Sequence, residues 1–128
     1  MIDNRIFKFR GQDRDKKWHF GDLHHYWDGS VGIREIENKY GFVVQPDTVG
    51  QFTGLTDVDG NEIFEDDIIQ NEVNPFEIYQ VAMVNGCCSA MNHIDCGVLH
   101  WFLENAPYKI IGNFHDNPNL LNEGVHYD

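Results

Sequence analysis

Short apolar runs, broken every few residues by turn formers, set the pattern of this chain, and no stretch sustains a 3.6-residue period. Alternation at period two between turn signals is the mark of half-buried strands. Phe7 and Phe9 alternate with Ile6, Lys8 and Arg10, which gives a first strand one aromatic face. Lys17-Trp18-His19-Phe20 alternates in the same way and predicts Trp18 and Phe20 toward the core, with Lys17 and His19 toward water. Further strands are predicted around 26–27, 31–33, 42–44, 62–64, 68–73, 79–84, 98–103 and 108–114. Asp28-Gly29, Asp59-Gly60 and Asn85-Gly86 suit two-residue type I′ hairpin loops, because these residues tolerate positive φ at least cost. Asn117-Pro118 suits a helix N-cap followed by proline at the first helical position, so 118–122 is expected to form a short helical turn. Strands at this spacing indicate an all-β barrel or sandwich in a single domain over 1–128, with 1–45 as a candidate small sheet packed on a barrel at 46–128.

The densest cluster of turn formers and acids lies in 50–69, GQFTGLTDVDGNEIFEDDII. An EF-hand loop places oxygen ligands at positions 1, 3 and 5, glycine at 6 and a bidentate acid at 12. Setting Gly60 at position 6 puts Asp57, Asp59 and Asp66 at ligand positions but Leu55 at position 1, and the flanks read as strands, so the loop is incomplete for calcium. Glu65, Asp66 and Asp67 offer paired carboxylates for acid–base chemistry, which requires burial or a close like charge to raise one of them. The simpler expectation is that these acids stay in water while Ile68 and Ile69 turn inward.

The same stretch resembles the central motif of the YopX family of phage and prophage proteins. Arg5-Ile6-Phe7-Lys8-Phe9-Arg10, with the turn at 13–18, resembles that family's opening strand, and 110–121, IIGNFHDNPNLL, resembles its closing segment. The three pieces keep the family's order and span nearly the whole chain. Asp66 stands where such proteins commonly carry glycine, and 79–102 aligns with nothing in the family pattern. The resemblance implies a mainly β protein with a small SH3-like barrel core, encoded by a phage or integrated element, and carries over no catalytic residue.

Composition supplies limits. With nine Phe, five Tyr and three Trp, the chain has the apolar content of a folded domain rather than a disordered one. No apolar run approaches the roughly 20 residues needed to span a bilayer, and a bacterial host cytoplasm is the expected location. The net charge of −12 is segregated: residues 1–40 hold eight of the nine basic residues against seven acids, and Lys109 stands alone against fourteen acids in 41–128. Nucleic-acid binding draws on Lys and Arg to neutralise phosphates, so the larger part of the chain is expected to repel DNA and RNA. Only Lys16-Lys17-Trp18-His19-Phe20 interleaves base with aromatics as a single-strand binding strip would.

Between Glu77 and Asp95 lie seventeen residues without a formal charge, which reads as core strands or as a subunit interface drawing on Met83, Met91, Trp101 and Phe102. Cys87, Cys88 and Cys96 share this region with His93, Asp95 and His100. Adjacent Cys87 and Cys88 point to opposite faces of a strand and lack the C-x₂₋₄-C spacing of structural zinc, so a metal site would need Cys88, His93, Cys96 and His100 to converge in space. Cys96 activated by His93 or His100 as a nucleophile has no readable oxyanion hole beside it. Buried free thiols are the expectation, and His24-His25, near Asp28, together with His115 and His126, read as mostly exposed. No catalytic, cofactor or metal set is therefore assigned. The expected role is a non-enzymatic interaction module for a host or phage protein, with homo-oligomerisation open. A nucleic-acid-related role, by the basic hairpin or by acidic mimicry of DNA, and a zinc enzyme are the alternatives.

Overall fold

The computed structural model describes residues 7–35, 40–92 and 96–123, which fall in two compact units, 1–54 and 55–128. In the first unit, β1 (Phe9–Gln12), β2 (Trp18–His25), β3 (Val31–Arg34) and β4 (Phe42–Val44) are followed by a 3-10 turn at Pro46–Thr48 and by β5 (Gly50–Thr56). These strands pair antiparallel in the order β4-β3-β2-β1-β5. Thr48 ties the turn to β1 by accepting the Gln12 N–H at 2.8 Å through its hydroxyl. Ile33 and Val44 are buried on the inner face.

The phase of β2 differs from the alternation expected. His19 is 1% exposed while Phe20 is 44% exposed, and Lys17 lies in water. The ring of His19 stacks on Phe42 at 4.1 Å between centroids, and both of its nitrogens meet carboxylates. A hydrogen-bonded polar ring is a permissible core residue. Trp18, half-buried, lies 4.5 Å from the guanidinium of Arg10, which is itself buried beside it. Phe7, expected to share one aromatic face with Phe9, is 76% exposed.

In the second unit, β6 (Glu62–Phe64) follows β5, and a five-stranded sheet is built from β7 (Asp67–Asn71), β8 (Ile78–Val84), β9 (Cys87–Met91), β10 (Cys96–Val98) and β11 (Tyr108–Asn113). Its order is β10-β9-β8-β7-β11, all antiparallel. It is an open sheet with β10 and β11 at its edges. The described residues thus give a mainly β protein with two antiparallel sheets and no closed barrel, in place of the SH3-like barrel core that the resemblance implied.

Helix α1 (Leu99–Asn105) occupies most of the segment expected to be a strand at 98–103. Leu99 and Phe102 are three residues apart, a helical spacing, and both are buried against Ile69, Tyr79, Val81 and Ala90. Gly97 makes this docking feasible, since a Cβ there would lie 2.8 Å from the Phe102 ring. A second short helix, α2 (Leu120–Glu123), covers Ile68 and Ile78 on the other face of the sheet with Leu121, and it stands where the C-terminal helical turn was expected. The uncharged segment forms β8 and β9, with Tyr79, Val81 and Ala90 in the core and Met83 and Met91 half-buried.

Only Asn85-Gly86 has positive φ at both positions, 50° and 80°, as a type I′ loop requires. The two Asp-Gly pairs instead belong to three-residue hairpin loops in which glycine alone is left-handed: Gly29 at φ 91° and Gly60 at φ 85°. In the latter, the Gly60 N–H donates to the Asp57 carbonyl and the Asp57 N–H to the Asn61 carbonyl. A type I turn followed by a left-handed residue produces this pattern.

Candidate functional site

Three of the six acids in 50–69, Asp57, Asp66 and Asp67, are committed to holding the fold. Asp57 is 6% exposed. Its Oδ1 accepts the N–H groups of Asp59 and Asn61 at 3.0 and 2.8 Å, and its Oδ2 accepts the Ile110 N–H of β11 at 3.0 Å. Burial raises its pKa, but the Ile110 and Asn61 N–H donors outweigh that and hold the carboxyl below its ordinary value. A carboxylate whose two oxygens are taken up by backbone donors is a turn anchor. The same device occurs in the first unit, where Asp13 Oδ1 accepts the N–H groups of Asp15 and Lys17, and Asp13 Oδ2 meets His19 Nε2 at 2.9 Å. Lys16 takes the left-handed position there, with φ 63°. The other nitrogen of His19, Nδ1, meets Glu35 at 2.7 Å.

Glu65, Asp66 and Asp67 were expected to stay in water, but the first two are half-buried and the third is buried. Asp67 is 3% exposed and accepts the Phe64 N–H at 2.7 Å. Asp66 adopts φ 74° in the tight turn between β6 and β7, the conformation that glycine favours. Its carboxylate compensates by pairing with His115 Nε2 at 2.9 Å and accepting the Gln80 amide at 3.1 Å. Asp66→Ala keeps the left-handed residue and loses both contacts, so it is expected to lower stability by about 1–2 kcal/mol. Asp66→Gly also relieves the backbone and is expected to cost about half as much. Urea midpoints of the two variants check the order.

The cysteine and histidine cluster does not assemble among the described residues. Cys96 sits opposite Met91 and Cys88 opposite Met83, which places them on opposite faces of the sheet. Burial raises the Cys88 thiol pKa, with the neighbouring Cys87 and Glu65 adding to the effect. Cys87 and Cys96 are exposed, contrary to the buried thiols expected. His100 pairs with Glu104 one turn along α1 at 2.7 Å. His93, Asp95 and His126 lie outside the described residues. His24 and His25 are exposed, as expected, whereas His115 is half-buried through its pairing with Asp66.

Sequence reasoning missed a different group. Between the β7–β8 loop, α1 and the start of β11 lies a cleft of about 240 Å³. Its polar end is Glu77, half-buried, whose Oε2 accepts the Asn71 amide at 2.8 Å and the Tyr108 hydroxyl at 3.3 Å, while Oε1 has a longer contact with the Asn74 amide at 3.4 Å. Asn71 is fixed in turn, its Oδ1 accepting the N–H groups of Val73 and Asn74. Its aromatic wall is a cluster in which Tyr79 and Phe102 lie 4.6 Å apart and Trp101 stands perpendicular to Phe102 at 5.2 Å. Burial pushes the Tyr108 phenol well above its ordinary pKa, and the Glu77 charge pushes it further, so Tyr108 is a neutral hydrogen-bond donor. The signal lay in Glu77, the acid that opens the uncharged segment, and in the aromatics at 101, 102 and 108, residues far apart in sequence.

A larger cleft of about 330 Å³, lined by His24, Tyr26, Arg34, Tyr40 and Gly41, belongs to the first unit. Residues 36–39, between two of its lining residues, lie outside the described set.

Two antiparallel sheets, aspartate-anchored turns and a short helix closing one sheet face define a small mainly β protein without a recognisable catalytic set among the described residues. The YopX protein family model matches residues 3–122, and the chain belongs to that family. The crystal structure of protein YopX from Bacillus subtilis is similar in fold, with a TM-score of 0.58 over 93% of this chain and 98% of that one, at 20% identity. Comparison with curated proteins gives no significant match. No helix among the described residues is long and apolar enough to cross a membrane.

Proposed function

We propose that the chain is a non-enzymatic protein-interaction module of phage or prophage origin, acting in the bacterial cytoplasm, whose second unit docks on a basic surface of a partner protein. The observation that carries this reading is charge segregation along the boundary between the units. Residues 55–128 contain thirteen acids and one basic residue, Lys109, and that lysine lies 3.9 Å from Asp59. Several of the acids hold turns together, but Glu62, Glu72, Glu104 and Asp116 are exposed, and Glu77 faces a cleft. A surface of one sign speeds encounter with an opposite one and rejects like-charged partners, nucleic acid included. Binding of a fluorescent lysine- and arginine-rich peptide, measured by anisotropy, is expected at low salt and to weaken at least tenfold at about 0.5 M salt, where charges are screened within a few Å. Absence of binding at low salt contradicts the reading.

One observation favours a second reading, in which the first unit binds single-stranded nucleic acid. The phase of β2 exposes Phe20, and Lys16 and Lys17 are exposed at the same hairpin. Single-stranded DNA binding that disappears in Lys16→Ala/Lys17→Ala supports it over the first.

A further inference from the structure

We propose that the cleft between the β7–β8 loop, α1 and the start of β11 is a receptor for one lysine side chain of the partner, with Glu77 taking the ammonium and Trp101 and its neighbouring rings taking the methylene stem. This deepens the docking reading and rests on it.

Charge comes first. Glu77 is half-buried, and its hydrogen-bond partners are two side-chain amides and a phenol. None of them carries a positive charge, and among the described residues no ion pair reaches Glu77; Lys109, the basic residue of this unit, lies near Asp59 instead. Tyr108 supports the carboxylate as a neutral donor and offers no proton at neutral pH. Neutral donors orient a carboxylate without pairing its charge, which is left for a cation entering from solvent.

Aromatic shape comes second. Trp101 is 59% exposed at the mouth, and Tyr79, Phe102 and Tyr108, nearly buried, present their rings behind it. Rings beside a carboxylate suit a cation on an apolar stem, since ring faces attract positive charge and the methylenes cover apolar surface. Asn105, whose amide donates to the Trp101 carbonyl at 2.7 Å, also lines the cleft and steadies the last turn of α1.

The hydrogen-bond count then selects between the two basic side chains. A guanidinium binds a carboxylate best through two parallel bonds, one to each oxygen. Oε2 of Glu77 is already occupied by Asn71 and Tyr108, so the remaining acceptor capacity lies mainly on Oε1. One available oxygen fits the compact ammonium of lysine and leaves half of an arginine fork without a partner.

The test is a titration of the isotope-labelled full chain with Nα-acetyl-lysine amide, its Nε-acetylated form and Nα-acetyl-arginine amide, followed by NMR. The lysine probe is expected to shift the Trp101 indole and the side-chain amides of Asn71, Asn74 and Asn105, and the neutral Nε-acetylated form to leave them in place. Glu77→Gln, which keeps the size and one carbonyl acceptor, is expected to weaken lysine binding at least tenfold with the backbone spectrum preserved. Trp101→Ala, at an exposed position, is expected to weaken it about three- to fivefold and guards against a folding defect in the first variant. Equal response to the acetylated probe, undiminished binding by Glu77→Gln, or arginine binding as tight as lysine overturns the proposal. Binding of a basic peptide elsewhere on the second unit, without a shift at Trp101, overturns the lysine receptor and leaves the docking reading standing.

Discussion

Asp57→Ala lowers the free energy of unfolding by about 3 kcal/mol or more, the largest loss expected from a turn substitution among the described residues. Three backbone N–H groups, from Asp59, Asn61 and Ile110, lose one acceptor residue together. Two of these bonds shape the loop before β6, and the third reaches β11 just where its register with β7 shifts between Ile110 and Gly112. A charged acceptor makes each bond worth more than a neutral one. For a domain of this size, the loss corresponds to a fall in Tm of roughly 10 °C. Asp57→Asn retains an acceptor oxygen and is expected to cost less.

The same residue gives the protein an acid sensitivity whose sign follows from its folded pKa lying below the ordinary carboxylate value. Its contribution is fully present above the unfolded pKa of about 4 and is lost as pH falls through the lower folded value. Tm therefore drops on acidification below about pH 4, and it drops less in Asp57→Asn, which has no carboxyl to protonate. Thermal melts of both proteins between neutral pH and acid check the difference.

His19→Ala is the second large effect, about 3 kcal/mol, and it arises in the first unit. The ring is 1% exposed, stacks on Phe42, and meets Asp13 at one nitrogen and Glu35 at the other. Truncation removes the stacked ring and leaves two carboxylates facing its place. His19→Phe preserves the ring and the stacking, so it isolates the polar share and is expected to cost about half as much. Urea denaturation of the two variants separates these contributions. A loss under about 1 kcal/mol for His19→Ala contradicts the placement of this residue in the core.

His19 also marks where reading the chain residue by residue stops working. Period-two alternation located β2 correctly but assigned its phase by polarity, sending His19 to water and Phe20 inward. The observed phase depends on acceptors supplied by Asp13, six residues earlier, and Glu35, sixteen residues later. No local pattern contains that information. The segment 98–103 misled for a related reason: five of its six residues are apolar and fit either period, and burial of Leu99 and Phe102 on one side decided for α1. Turn chemistry was the most legible layer. The glycines at 29, 60 and 86 all take positive φ, although two of the three loops are one residue longer than expected. Asp66 stands out as a left-handed residue whose carboxylate is engaged by His115. The cleft at Glu77 was illegible because its walls come from a loop, a helix and three strands between 71 and 108, and only the folded sheet brings them together.

Docking through the acidic second unit is tested by backbone NMR of the labelled chain during titration with a lysine- and arginine-rich peptide. Shifts are expected to be confined to residues of 55–123, strongest around Asn71, Glu77 and Trp101, and abolished by salt. Shifts centred on the hairpin at Lys16, Lys17 and Phe20, or none anywhere at low salt, would contradict it.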